Sequence, residues 1–156
     1  MKREIKFRGK DLDTLEWRYG YYVCLQDTFR KPIDKRERVT YRIYSGIADS
    51  CASEDGYDFF EDWHDIKPET IGQSTGMFDK SGKEIFEGDF LEIGLLMGLI
   101  TWHPNGYWCI HTAMKDNVQY HDYNNLGEML DYAMLKCYDS KVIGNIHDNP
   151  ELLKEE

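Results

Sequence analysis

The chain reads as a mainly β protein of the β-rich α+β class, an N-terminal antiparallel β-layer followed by an SH3-like half-open barrel with one helix. Three observations predict this. Short segments alternate polar and apolar residues, the composition is rich in flat rings (eleven Tyr, seven Phe and four Trp), and residues 68–90 carry a hairpin pattern. In that stretch Met77-Phe78 and Glu84-Ile85-Phe86 are apolar arms. Between them Asp79-Lys80-Ser81-Gly82 supplies an Asx-type turn opener and a glycine free to take positive φ. Gly88-Asp89 turns the chain into the next strand.

Taken in order, Glu4-Ile5-Lys6-Phe7-Arg8 alternates, and Trp17, Tyr19, Tyr21, Val23 and Leu25 share one face at period two. Both segments are predicted strands joined by the polar residues 9–14. Residues 30–38 are charge-dense and read as an exposed loop, after which Val39, Tyr41 and Ile43 point inward from a third strand. Residues 48–67 are acidic and aperiodic, a joint between residues 1–66 and a C-terminal unit at 67–150. Phe90-Leu91-Glu92-Ile93 and Leu99-Ile100-Thr101-Trp102 flank an apolar connection, residues 94–98, whose Leu95, Leu96 and Met97 are read either as a contact surface for another subunit or as a loop packed beneath the helix, with the lean to the contact surface. His103-Pro104-Asn105-Gly106 is a turn leading to the strand Tyr107-Trp108-Cys109-Ile110-His111, so three strands form a meander. Leu126, Met129, Leu130, Ala133 and Met134 fall at helical spacing, with Asn125 and Glu128 as an approximate capping box, predicting a helix over 125–136. Residues 141–147 close the fold as a strand, and 151–156 form a flexible tail.

The hairpin pattern, Gly72-Gln73-x-Thr75-Gly76-x-x-Asp79-x-x-Gly82-Lys83-Glu84-Ile85-x-Glu87-Gly88-Asp89, resembles the signature of the YopX family of phage and prophage proteins. The opening Arg3-Glu4-Ile5-Lys6-Phe7-Arg8-Gly9 and the ending from Val142 through Gly144-Asn145-Ile146-His147-Asp148-Asn149-Pro150 to Leu153 are similar as well. The resemblance implies a mainly β protein carried by phages and prophages. It transfers no catalytic residue, and Ser74 stands where it leads one to expect an aromatic ring. Arg8, Gln73, Thr75, Asp79, Lys83, Asp89 and Trp108 are the candidate binding residues.

Composition narrows the function classes. A formal charge of −10 argues against general duplex-DNA binding, which needs clustered cations. The charged opening Met1-Lys2-Arg3-Glu4 precedes no apolar run, so the expectation is a cytoplasmic protein without a membrane span. Cys24, Cys51, Cys109 and Cys137 contain no Cys-x-x-Cys pair and are expected to be free thiols. The five histidines lack metal-ligand spacing, the turn at Asp79 is not an EF-hand, and neither Gly72–Gly76 nor Gly82-Lys83 is a P-loop. No cofactor is expected. Cys109 and His111, two apart on a strand, share a face where a thiol and an imidazole approach each other, a geometry more often packing than chemistry.

The leading expectation is a non-catalytic binding or assembly protein, acting as a homo-oligomer and with a host or phage protein as a further partner. Two alternatives stay open. One is a single-stranded nucleic-acid-associated module using Lys2, Arg3, Lys6, Arg8 and Lys10 together with Arg30, Lys31, Lys35, Arg36 and Arg38. The other is a hydrolase or metal enzyme whose residues lie far apart in the chain.

Overall fold

The computed structural model describes residues 4–26, 39–45, 63–94, 96–114, 128–130 and 139–153. The chain divides into two compact units, Glu4–Gln73 and a second taking in Ser74–Glu156.

In the first unit β1 (Phe7–Lys10), β2 (Trp17–Gln26), β3 (Val39–Tyr44) and β4 (Trp63–Asp65) pair antiparallel in chain order, and Gly72 and Gln73, the start of β5 (Gly72–Phe78), pair with Arg8 and Phe7. Directly paired residues share a face. One face therefore gathers Phe7, Gly9, Tyr22, Tyr41, Ile43 and His64, with Ile43 wholly buried. Gly9 is needed there because a Cβ would stand 2.2 Å from Ile66 Cγ2. The opposite face gathers Arg8, Lys10, Trp17, Tyr19, Tyr21, Val23, Arg42, Tyr44, Trp63 and Asp65. The strand β4 lies in the stretch expected to be an aperiodic joint. Three residues are too few to show a period, and β4 forms because the outer edge of β3 offers backbone partners. Residues 48–62 of that joint lie outside the described residues.

The second unit contains the rest of β5 paired with β6 (Glu84–Phe86), and an open sheet of order β10-β9-β8-β7-β11 built from β7 (Asp89–Ile93), β8 (Leu96–His103), β9 (Tyr107–Met114), β10 (Glu128–Met129) and β11 (Ser140–Asn145). The β7-β8-β9 meander agrees with the sequence, but the sheet is not a closed barrel: β10 and β11 are its edges. Its core packs Ile85, Leu91, Ile93, Ile100, Trp108, Ile110, Leu130 and Val142 with Met77 against them. Each large apolar side chain so buried contributes about 1.5–3 kcal/mol before entropy is counted.

Three expectations change here. The apolar run at 94–98 is mostly strand: Gly94 is in the turn, Leu96 pairs with Ile93, and Met97 pairs with Glu92 and Ala113. Met97 is buried and Leu96 half-buried, while Leu95 lies outside the described residues. The cause is that β8 is covered on both faces, with Ile100 on one side and Leu99 and Met97 on the other, so alternation disappears. Within the predicted helix, Glu128 and Met129 are extended and pair with Ile110 and Cys109, and Leu130 N–H donates to Trp108 O at 2.9 Å. The open edge of β9 outcompetes the local helical stripe, although Leu130 still reaches the core. Residues 125–127 and 131–136 lie outside the described residues. Finally, residues 151–153, placed in a tail by the sequence, belong to a 3₁₀ turn, Pro150–Leu153.

Candidate functional site

The signature hairpin holds itself together with the side chains that looked like binding groups. Asp79 Oδ1 accepts from Ser81 N (2.8 Å), Ser81 Oγ (2.6 Å) and Lys83 N (2.9 Å), while Oδ2 accepts from Val142 N of β11 at 3.0 Å. Burial pushes this carboxyl up, but those four hydrogen bonds outweigh it and hold the group below the usual carboxylate range. Gly82, at φ 88°, completes the turn, its N–H donating to Asp79 O at 3.0 Å. Thr75 Oγ1 donates to Ile85 O (2.9 Å) and accepts from Met77 N (3.1 Å). Asp89, buried, accepts from Phe86 N at 2.8 Å across the turn in which Gly88 takes φ 81°. Ser74, found where a ring was expected, is buried and donates to Glu84 Oε1 at 2.6 Å. Gln73 is half-buried opposite Phe7, and Lys83 is exposed at the turn.

The closing motif has the same character. Asn145 Oδ1 accepts from His147 N (2.9 Å) and Asp148 N (3.0 Å), its Nδ2 donates to Asp148 Oδ2 (2.7 Å), and a Cβ at Gly144 would stand 2.3 Å from Asn149 Oδ1. Both motifs are turn chemistry.

Trp108, the remaining candidate in this unit, is buried against Trp102 in an edge-to-face pair at 4.8 Å, and its Nε1 has no hydrogen-bond partner among the described residues. On the opposite face of β8 and β9 the structure brings Cys109 and His111 together with Thr101, which sequence reasoning did not include. Thr101 Oγ1 lies 3.1 Å from Cys109 Sγ and 2.9 Å from His111 Nε2, and Sγ is 3.4 Å from Nε2. Cys109 is wholly enclosed, so no substrate atom reaches its sulfur without the sheet opening. Cys24 and Cys109 are both free thiols. Among the described residues no three His, Cys, Asp or Glu side chains converge as a metal site.

The first unit holds a surface of a different kind. On β2, Tyr19 and Tyr21 are 49% and 50% exposed, with half-buried Trp17 before them and half-buried Tyr44 and Trp63 beside them. Cross-strand pairing sets Arg8 opposite Tyr19, Lys10 opposite Trp17 and Arg42 opposite Val23. Arg8 Cζ lies 4.7 Å and Lys10 Nζ 5.4 Å from the Trp17 ring centroid, both within cation–π range. Arg8 is buried, Lys10 and Arg42 are half-buried, and Asp65 anchors Arg42 at 2.6 Å. Tyr21 Oη donates to Glu4 Oε1 at 3.2 Å, and Lys6 pairs with the same carboxylate. Period two had already placed Trp17, Tyr19 and Tyr21 together. That Tyr19 and Tyr21 stay half-exposed there, while Ile43 is wholly buried on the other face, is read only from the structure. Of the basic residues singled out in the sequence, Lys2, Arg3 and 30–38 lie outside the described residues.

On the other face Asp11 is the electrostatic centre. Its Oδ1 accepts from Asp13 N and Thr14 N, each at 3.0 Å, and its Oδ2 faces Arg18 Nε and His64 Nδ1, each at 3.2 Å. The Thr14 N–H foremost, then Asp13 N–H and Arg18, overcome the opposing effect of burial and lower its pKa to about 2.

The turn motifs at both ends of the second unit are matched as a whole by the sequence model of the YopX protein family, over residues 6–154. The chain belongs to the YopX family. Its fold is also similar to the crystal structure of protein EF1440 from Enterococcus faecalis, at 22% identity and a TM-score of 0.47, over 98% of this chain and 100% of that one. None of the curated proteins matches. Within this YopX-family chain, no helix of the described residues is long and apolar enough to cross a membrane.

Proposed function

We propose that the protein is a non-catalytic binding protein, carried by phages and prophages and working in the host cytoplasm, whose working surface is the open aromatic face of the first unit. The observation that carries this reading is the pair of half-exposed rings, Tyr19 and Tyr21, on β2, an inner strand of its sheet, beside a cation-backed Trp17. Rings held by strands lose little further freedom on binding, so such a surface favours association. The alternative of catalysis has less support: the acidic signature side chains are committed to turns, and the Cys109 sulfur is enclosed.

Self-assembly is a second reading, favoured by exposed Phe78 (50%) and Trp102 (45%) on the second unit. The two readings separate in one experiment. Tryptophan fluorescence is titrated with defined probes (an oligothymidylate, a duplex, an extended basic and an extended acidic peptide), with light scattering across a protein concentration series run beside it. The surface reading expects at least one saturable change, or an oligomer, that is lost when Tyr19 and Tyr21 both become Ala. A response that the double variant retains in full overturns it.

A further inference from the structure

We infer that the turn joining β1 to β2, residues 11–16, is a docking tip: Leu12 and Leu15 enter an apolar cleft on a partner protein, and the carboxylates beside them meet lysines or arginines on its rim. Its residues are not those of the Tyr19–Tyr21 surface, so either surface can fail without the other. Leu12 and Leu15 are 53% and 51% exposed, the two leucines among the described residues with more than half of their surface in water. Leu15 also holds φ at 62°, a left-handed backbone that Gly or Asn adopts at least cost. Neither packing nor backbone preference accounts for a leucine there.

The backbone of the turn is complete without those side chains. Asp11 N–H donates to Glu16 O (2.9 Å), Leu12 N–H to Asp65 O (2.8 Å), Leu15 N–H to Asp11 O (3.0 Å) and Glu16 N–H to Thr14 Oγ1 (3.3 Å), while the Asp13 and Thr14 N–H groups go to Asp11 Oδ1. Every N–H from Asp11 to Glu16 is engaged, so little backbone freedom is left to lose on docking. The leucines are three residues apart, at most about 11 Å, within reach of one cleft.

Charge selects the partner. Asp13 and Glu16 are exposed beside the leucines, and residues 11–18 hold three carboxylates against the single Arg18. Arg18 pairs with both Asp11 and Glu16, but the Glu16 side chain is 69% exposed, and an ion pair so open to water exchanges readily for a partner's cation. The whole unit Glu4–Gln73 has eleven Lys and Arg against fifteen Asp and Glu. An acid-flanked apolar tip is repelled by anionic lipid, and two copies of it repel each other. A cleft rimmed by cations suits it.

The test places a photoreactive benzoylphenylalanine at Leu15, and in a second protein at Thr14, of the full chain in lysate of a bacterial host; exposed Glu69 carries it as the control. The protein cross-linked from 14 and 15 but not from 69 is then purified and titrated against the labelled wild-type chain by fluorescence anisotropy. Saturable binding is expected, falling as salt rises and weakened by Asp13→Lys. Leu12→Ser and Leu15→Ser together should weaken it at least about tenfold, from the loss of two apolar side chains that become buried. Leu15→Gly should weaken binding while leaving the melting temperature unchanged or raised, a combination that a packing role does not give, and it carries the test alone if the double Ser variant does not fold. No protein cross-linked specifically from 14 and 15, a captured protein that binds these variants like the wild type, or an affinity indifferent to salt each overturns the inference. Two further arms name other occupants: light scattering showing an oligomer that the double Ser variant dissociates, or flotation with phosphatidylcholine–phosphatidylglycerol vesicles that the same variant abolishes, would overturn it in favour of a second copy or a membrane.

Discussion

Replacing Asp79 by Ala removes a buried side chain that ties the signature hairpin to β11. Four hydrogen bonds are lost together. The three on Oδ1 come from an exposed turn, where water takes over the donors, so their combined cost is about 1–2 kcal/mol. The fourth is different, because Val142 is buried (6% exposed) and its N–H then has no acceptor. An unsatisfied buried donor costs about 1–3 kcal/mol. The sum is about 3 kcal/mol, a large fraction of the roughly 5–15 kcal/mol that holds a domain folded. Urea unfolding followed by circular dichroism should show that loss in midpoint, with a melting temperature lower by about 6–12 °C. Ser81→Ala, which removes only the hydroxyl donor, should cost about 1 kcal/mol or less. Asp79→Asn should fall between them, since an amide can serve Ser81 and Lys83 but presents N–H to the Val142 N–H. The pH dependence has a definite sign. The folded pKa of Asp79 is depressed, so its stabilisation is complete above the unfolded value near 3.8 and is lost as pH falls toward the folded one. The Ala variant should therefore converge on the wild type in acid. If Asp79→Ala costs no more than Ser81→Ala at neutral pH, or if the Val142 amide exchanges no faster in the variant, the carboxylate is not the tie described.

Other outcomes follow from single contacts. Gly20→Ala sets a Cβ 1.9 Å from the Tyr44 carbonyl oxygen, which is backbone and cannot move aside, so β2 and β3 should separate and stability fall by about 3 kcal/mol or more in urea unfolding. Leu15 is the one non-glycine among the described residues at positive φ (62°) and is half-exposed, so Leu15→Gly should be neutral or stabilising by up to about 1 kcal/mol, read as a raised melting temperature. Asp11→Asn should cost about 1–2 kcal/mol at pH 7, the depressed pKa near 2 being discounted for screening; the cost should shrink as pH falls from about 4 to 2 in an acid-unfolding series. Gly98→Ala drives a Cβ to 2.4 Å from Ile110 Cγ1, and about 1–3 kcal/mol of overpacking should appear as a lower urea midpoint.

The sequence by itself determined the elements whose residues interact locally. Asp79 and Gly82 specify their turn because an Asx carboxylate and a left-handed glycine need only neighbours four residues away. The strands around Tyr19 and Tyr41 are legible because period two survives where the two faces of a sheet meet different surroundings. Gly106 closes the turn onto His103 O for the same local reason. Tertiary structure decided the rest. Alternation says that Trp17, Tyr19 and Tyr21 share a face but not whether that face is covered, so the candidate surface emerged only with the half-exposure of Tyr19 and Tyr21 opposite a wholly buried Ile43. In β8 the signal vanished because Met97, Leu99 and Ile100 are buried on both faces. The meeting of Thr101 with Cys109 and His111 depends on the register between β8 and β9, which no spacing within either strand encodes. At Glu128 and Met129 a helical stripe and an open sheet edge offered the same residues competing partners, and the unpaired backbone of β9 prevailed because a hydrogen-bond donor or acceptor buried without a partner costs more than a weak helical preference returns.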